Sequence, residues 1–290
     1  MNEGIVRIED ENYPPLLRTI KEPPRLLYYR GDLSIASTTT CVAMVGARRA
    51  TDYGRFVAGK MAGRLAENGI TVVSGMAAGI DSCSHKGALR AGGKTIAVLG
   101  NSLDICFPLN ARGLKTEIEE KGLLLSEYPP GTHGTKFTFP ARNRIISGLS
   151  VATVVVEAGL RSGSLITAEL AAEQGRDIYA VPGNITSVLS IGTNRLIQDG
   201  AAAVAVVDDI ISDLTRAGYC KKSARESNIM KKLGKDERKI FAYLQKNGET
   251  TIENLALSLA KSPAELAPIV TILEMKGMIQ VALGKIFVAN

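Results

Sequence analysis

From residue 41 onward, short runs that are apolar on both faces alternate with longer amphipathic stretches, and no other feature restricts the fold as much. Residues 41–45, 70–74, 95–99, 123–126, 152–156, 178–181 and 202–206 read as strands. Residues 54–68, 81–90, 142–149, 164–174, 194–199 and 208–214 read as helices. A strand that is apolar on both sides needs cover on both sides, and intervening helices supply it. The pattern therefore predicts an α/β fold with a doubly wound, mostly parallel sheet over residues 41–215.

The flanks differ from this centre. Residues 1–40 carry Tyr13-Pro14-Pro15 and Pro23-Pro24 before the apolar Leu26-Leu27-Tyr28-Tyr29, which suits an extended arm packed on the main domain. Residues 216–235 are polar and basic and read as a linker. Residues 236–290 follow with three amphipathic helical stretches and then two strands turning at Gly284, the element order of a winged helix. The formal net charge of +6 resides in the linker: residues 1–215 hold 22 Lys/Arg against 22 Asp/Glu, and residues 236–290 hold 6 of each. Bulk charge thus gives the large domain no preference for nucleic acid, and only local clustering of cations can do so.

No run reaches the roughly 18 apolar residues that a membrane helix needs, and Met1-Asn2-Glu3-Gly4-Ile5 lacks the start of a secretory signal. Cys41, Cys83, Cys106 and Cys220 lie far apart with no CxxC pair, so the expectation is a cytoplasmic chain without a disulfide framework or metal site. Neither GxGxxG nor GxxxxGK[ST] occurs, and no cofactor is expected.

In an open parallel sheet the ligand sits beyond the C-terminal strand ends, where helix N-termini offer unpaired N–H groups to phosphate. Five such loops are built from small and cationic residues. The first carries Gly46, Arg48 and Arg49; the second, Ser74 to Asp81, carries Gly75. A glycine in a tight strand-to-helix turn serves the turn as readily as a ligand. Glu157 to Ala168 adds Arg161 and the Ser162-Gly163-Ser164 turn, where a serine also serves as a helix cap. Lys136 to Ile146 interleaves Lys136, Arg142 and Arg144 with Phe137 and Phe139, in a chain with six Phe and no Trp, and adds Asn143. Cations that follow phosphates and rings that stack on bases are what a single strand of nucleic acid requires. Gly192 to Arg195 completes the rim. Catalytic groups are sparse: His85 suits a structural hydrogen bond, and Glu127 and Glu157 suit helix caps or arginine partners better than a carboxylate pair.

These loops, in this order, resemble the DNA-processing protein A family (DprA or Smf). The segments that carry the likeness are Val45-Gly46-Ala47-Arg48, Ser74 to Asp81, Thr95 to Gly100, Ser126 to Gly131, Phe139 to Ile146, Glu157 to Ala168, Val181-Pro182-Gly183 and Gly192-Thr193-Asn194. The resemblance spans roughly residues 12–215. It implies an extended Rossmann-like domain that forms a homodimer, binds and protects single-stranded DNA in a basic pocket, and helps to load the RecA recombinase during natural transformation. The family's pocket residues fall here on Arg48, Lys136, Phe139, Arg142, Asn143, Arg144 and the Ser162-Gly163-Ser164 turn. Ala78 stands where many members have arginine.

Three readings follow: a non-catalytic single-strand binder, a nucleotide-processing enzyme of the phosphoribohydrolase type that uses a glutamate beside a glycine-rich loop, and a nucleotide sensor. The Pro-Gly-Gly-x-Gly-Thr run of those hydrolases is missing from the chain. The helix that would read duplex DNA in the C-terminal domain, Ser262 to Lys276, offers Glu265, Pro268 and Glu274 where base readers carry Arg, Lys, Asn or Gln, which favours a protein-contact role.

Overall fold

The computed structural model describes residues 2–220, 233–276, 278–282 and 284–288. The chain divides into two compact units, residues 1–221 and 222–290. In the first, β1 (Glu3–Arg7), α1 (Pro15–Arg18), β2 (Leu26–Gly31) and α2 (Ile35–Thr38) precede the alternating core. That core runs β3 (Cys41–Val45), α3 (Asp52–Glu67), β4 (Thr71–Ser74), α4 (Ile80–Arg90), β5 (Thr95–Leu99), α5 (Arg112–Lys121) and β6 (Leu123–Ser126). It continues with α6 (Thr138–Gly148), β7 (Ala152–Val155), α7 (Gly163–Glu173), β8 (Asp177–Ala180), α8 (Ile191–Gln198), β9 (Ala202–Ala203) and α9 (Val207–Arg216).

The nine strands lie in the order β1-β2-β6-β5-β4-β3-β7-β8-β9. From β6 to β9 all neighbours are parallel. The arm adds more than packing: β1 and β2 pair with each other, and β2 pairs with β6, both antiparallel, so residues 3–31 extend the sheet by two strands. Sequence order reverses at β3, whose neighbours are β4 and β7, and the crevice beyond their C-terminal ends is where this topology holds its ligand.

Alternation along each strand divides the core. Cys41, Ala43 and Val45 of β3 join Val98, Leu125 and Val155 under α6, with Leu17 and Leu27 from the arm. Val42 and Met44 face the other way, against Ala58, Met61 and Leu65 of α3 and Ile210 and Leu214 of α9. Both faces are thus covered, as the apolar strands required. Tyr13 fastens the arm: its ring is 1% exposed and its hydroxyl donates to the Pro24 carbonyl at 2.7 Å.

The second unit holds helices Lys235–Asn247, Ile252–Leu259 and Pro263–Met275 and an antiparallel pair, Ile279–Ala282 with Lys285–Val288. It has its own core of Ile240, Leu244, Leu255, Leu266, Leu273 and Ile286. Of the basic linker read at 216–235, residues 221–232 lie outside the described residues. No single helix among the described residues is long and apolar enough to cross a membrane, and no cluster of metal-ligating side chains occurs among them.

Candidate functional site: a cationic crevice at the strand-order reversal

A concavity of about 380 Å³ opens where the sheet topology places it, lined by Val45, Gly46 and Arg48 after β3, Ala77 and Asp81 after β4, Lys136, Phe139, Arg142 and Asn143 before and within α6, and Ser162, Gly163 and Ser164 at the start of α7. Close packing shapes its floor. A Cβ on Gly46 would stand 2.6 Å from Ile80 and 2.9 Å from the Glu157 carbonyl, so only glycine lets β3 turn here. Gly79, at φ +79°, would meet the Ala47 carbonyl at 2.3 Å. At α7, the Ser162 hydroxyl accepts from the Ser164 N–H at 3.4 Å and lies 2.7 Å from the Ser164 hydroxyl. The eleven-residue helix then presents the positive end of its dipole to the crevice.

Phe139 is the aromatic wall. The Arg48 guanidinium lies 5.4 Å from its ring centroid, Phe107 packs at 5.4 Å, and Gly100 and Gly134 close on the ring so tightly that a Cβ on either would overlap it. Phe107 and Gly100 come from the connection after β5 and Gly134 from the one before α6, so no local pattern joins them to Phe139. The other phenylalanine of the segment, Phe137, is 73% exposed beside the Lys136 ammonium, 5.1 Å from its centroid, and lies outside the concavity.

Of the expected cations, Arg48 and Lys136 line the concavity and Arg49 and Arg161 are exposed, and none of the four has an ion pair among the described residues. Arg195 is exposed, 3.9 Å from Asp199. Two differ from the rim placement. Arg144 turns away, donating to Glu127 at 2.6 Å and to the Glu22 carbonyl at 3.0 Å. Arg142 is 4% exposed, and its Nη1 donates to the carbonyls of Gly75, at 2.8 Å, and Val98. It forms the floor beneath the other cations and clasps the ends of β4 and β5. Burial lowers its pKa to about 10 despite the attraction of Asp81. Asp81, the one acid of the lining, is pushed up by burial against the pull of Arg142, and accepts from the N–H groups of Gly75 and Ala77 at 3.2 and 3.3 Å. Gly75 therefore serves the floor: a Cβ there would overlap the Arg142 guanidinium. Asn143 donates to the Gly163 carbonyl at 3.3 Å, joining α6 to the α7 turn. Ala78 is exposed next to the lining residue Ala77.

The carboxylates and histidines are committed elsewhere. Glu157 is 4% exposed, and both its oxygens are held by Thr51, through the backbone N–H at 2.9 Å and the hydroxyl, at the start of α3. Glu127 is the partner of Arg144. His85 Nδ1 lies 2.6 Å from the Thr95 hydroxyl, whose own proton goes to the Val72 carbonyl, so the ring donates from Nδ1, and burial, which lowers its pKa to about 3, keeps it neutral near pH 7. His133 is exposed.

The arrangement matches known proteins over most of its length. The family described as DNA recombination-mediator protein A matches residues 4–215. The DNA processing protein DprA of Streptococcus pneumoniae is 46% identical over 206 residues, 71% of this chain and 72% of that protein. Protein Smf of Escherichia coli is 42% identical over 214 residues, 73% of this chain and 57% of that one. Among solved structures, DNA processing protein A of S. pneumoniae superposes with a TM-score of 0.70 at 44% identity, covering 73% of this chain and 74% of that one. Its counterpart from Helicobacter pylori, solved for its single-stranded DNA binding mode, superposes with a TM-score of 0.68 at 33% identity, covering 75% and 97%. With the family matched over residues 4–215 and this likeness in sequence and overall fold, the chain belongs to the DNA recombination-mediator protein A family.

Proposed function

We propose that the crevice binds single-stranded DNA and that the protein acts as a non-catalytic mediator, protecting the strand and helping to load a RecA recombinase on it. The observation that carries this reading is the conjunction, in one concavity, of two cations with no ion pair among the described residues, Arg48 and Lys136, with the aromatic wall Phe139 and the start of α7. Cations and N–H groups hold phosphate, the ring takes a base, and such stacking is sequence-tolerant because every base has a π-face. Arg48 lies over the ring in the free protein; a base that stacks on Phe139 displaces the guanidinium toward its own phosphate. The naming of the relatives as DNA processing proteins, and the single-stranded DNA binding mode of the H. pylori protein, support the same reading. A homodimer working in the cytoplasm is part of the proposal. The nucleotide-hydrolase alternative would need a carboxylate directed at the ligand, and the Glu157 oxygens are engaged by Thr51.

Fluorescence anisotropy with a labelled single strand and the matching duplex, across a range of salt concentrations, tests it. The strand binds more tightly, and affinity falls as salt rises, with a slope of about 0.7 per phosphate neutralised. Arg48→Ala and Lys136→Ala each weaken binding and reduce that slope. Equal binding of strand and duplex, or none, would sink the reading and turn attention to release of free base from nucleoside monophosphates.

A further inference from the structure

Helix α3 has three faces with three different fates. Ala58, Met61, Ala62 and Leu65 are buried in the core. Gly59 meets α4, where a Cβ on Gly87 would stand 2.2 Å from the Gly59 carbonyl. The remaining face points to solvent with two large rings, Tyr53 at 58% exposure and Phe56 at 66%. Lys60 holds its ammonium 5.7 Å from the Phe56 centroid, and Arg49, four residues before Tyr53 in the chain, is exposed one residue beyond the crevice residue Arg48. Arg55 is not part of this set, since its guanidinium donates twice to the Ala50 carbonyl. Asp52, the acid of this stretch, sits in the first turn, where it offsets the positive end of the helix.

Isolated exposed rings are ordinary, but two rings three residues apart on a helix, with Lys60 beside one of them, form a platform. They rise about 4.5 Å relative to each other along the axis, close to the roughly 3.4 Å between stacked bases. The platform begins where the crevice ends, because Arg48 and Arg49 are adjacent. We propose that a single strand leaving the crevice continues over the outer face of α3, with bases against Tyr53 and Phe56 and phosphates near Arg49 and Lys60. Charge complementarity and continuity with the crevice favour this occupant over a protein partner. The inference rests on the single-strand reading of the crevice and lengthens its footprint.

The test uses the full chain and two labelled oligothymidylates, one of about 4 nucleotides to fill the crevice alone and one of about 16, the range of single-strand site sizes. The doubly substituted Tyr53→Ala, Phe56→Ala protein loses about thirtyfold or more in affinity for the long strand, since two stacks worth roughly 1–3 kcal/mol each are removed. It binds the short strand as the unaltered protein does. Lys60→Ala reduces the salt slope for the long strand only, by about 0.7. Phe56→Trp, which restores a stacking ring, binds the long strand at least as well as the unaltered protein. Long-strand affinity untouched by the double substitution overturns the platform while leaving the crevice reading intact. Lost affinity together with a halved sedimentation mass assigns the face to a contact between copies and also overturns it. If the unaltered protein binds neither strand, both readings fall together.

Discussion

The most informative single residue is Arg142, because its position reverses what its type suggests. Sequence shows an arginine between two aromatics and an asparagine, which reads as a phosphate contact. The fold instead brings it carbonyls that lie 67 and 44 residues away in the chain, and no local pattern announces them. Replacing Arg142 with Met strands two buried carbonyls and leaves Asp81 without its counter-charge. Urea denaturation is expected to show a loss of about 3–5 kcal/mol, whereas Arg48→Ala on the exposed rim changes stability by about 0.5 kcal/mol or less. Arg48 and Lys136 are thus the clean probes of ligand binding. Beneath them, His85 gives the fold a pH dependence. Burial, and to a lesser degree Arg142, lower its pKa from 6.5 to about 3. The unfolded chain therefore binds the extra proton between those values, so the stability contributed by the neutral ring is complete above pH 6.5 and shrinks as pH falls toward 3. Asp81 acts in the opposite sense, since its pKa is raised above 3.8 and the fold takes up its proton first. Urea midpoints measured between pH 7 and about 4 should fall with acidity, and His85→Gln should flatten the profile.

At the scale of elements, the glycines of the α3–α4 crossing and of α5 act in opposite directions. Gly87→Ala drives a methyl group into the Gly59 backbone and is expected to cost about 1–3 kcal/mol in thermal or urea unfolding. Gly113 lies in the first turn of α5 with nothing within 4 Å of a Cβ, and Gly113→Ala should add about 0.4–1 kcal/mol by restricting the unfolded chain. The same elements show why parts of the fold were legible. Strands β3, β5 and β6 coincide with the apolar runs because every residue in them is buried, the polar end of β6, Ser126, included. Helix α5 was missed because it buries only Leu114, Lys115 and Ile118 among charged neighbours. Helix α6 begins four residues earlier than expected because Pro140 sits in its first turn, where a missing N–H costs nothing. The arm's strands were missed because β6, through which β2 and then β1 join the sheet, lies far along the chain. The crevice loops were legible from glycine and cation placement, but which cations line the concavity freely and which are held by carbonyls or by Glu127 depends on packing.

For the whole molecule, the division into two units with separate cores bears on cooperativity. The larger unit buries the clusters on either side of its sheet, and the smaller closes on its own Leu255, Leu266 and Ile286. Calorimetry is expected to resolve two transitions, and a chain ending at residue 220 should retain the larger one at the same temperature within a few degrees. A single transition that both units share would show that they unfold together.

The pairing of β2 with β6 also sets a timetable for synthesis. Tyr28–Gly31 contact Leu123–Ser126, so the first strands leave the ribosome about 90 residues before the strand that receives them. At translation speeds of about 5–20 residues per second that wait lasts on the order of 5–20 seconds. An isolated two-stranded pair is marginal in water, so during this interval β1 and β2 gain little from each other. This pair is consequently fixed to the sheet only when β6 emerges, ahead of β7 to β9, and it covers the outer edge of β6 as soon as that edge forms.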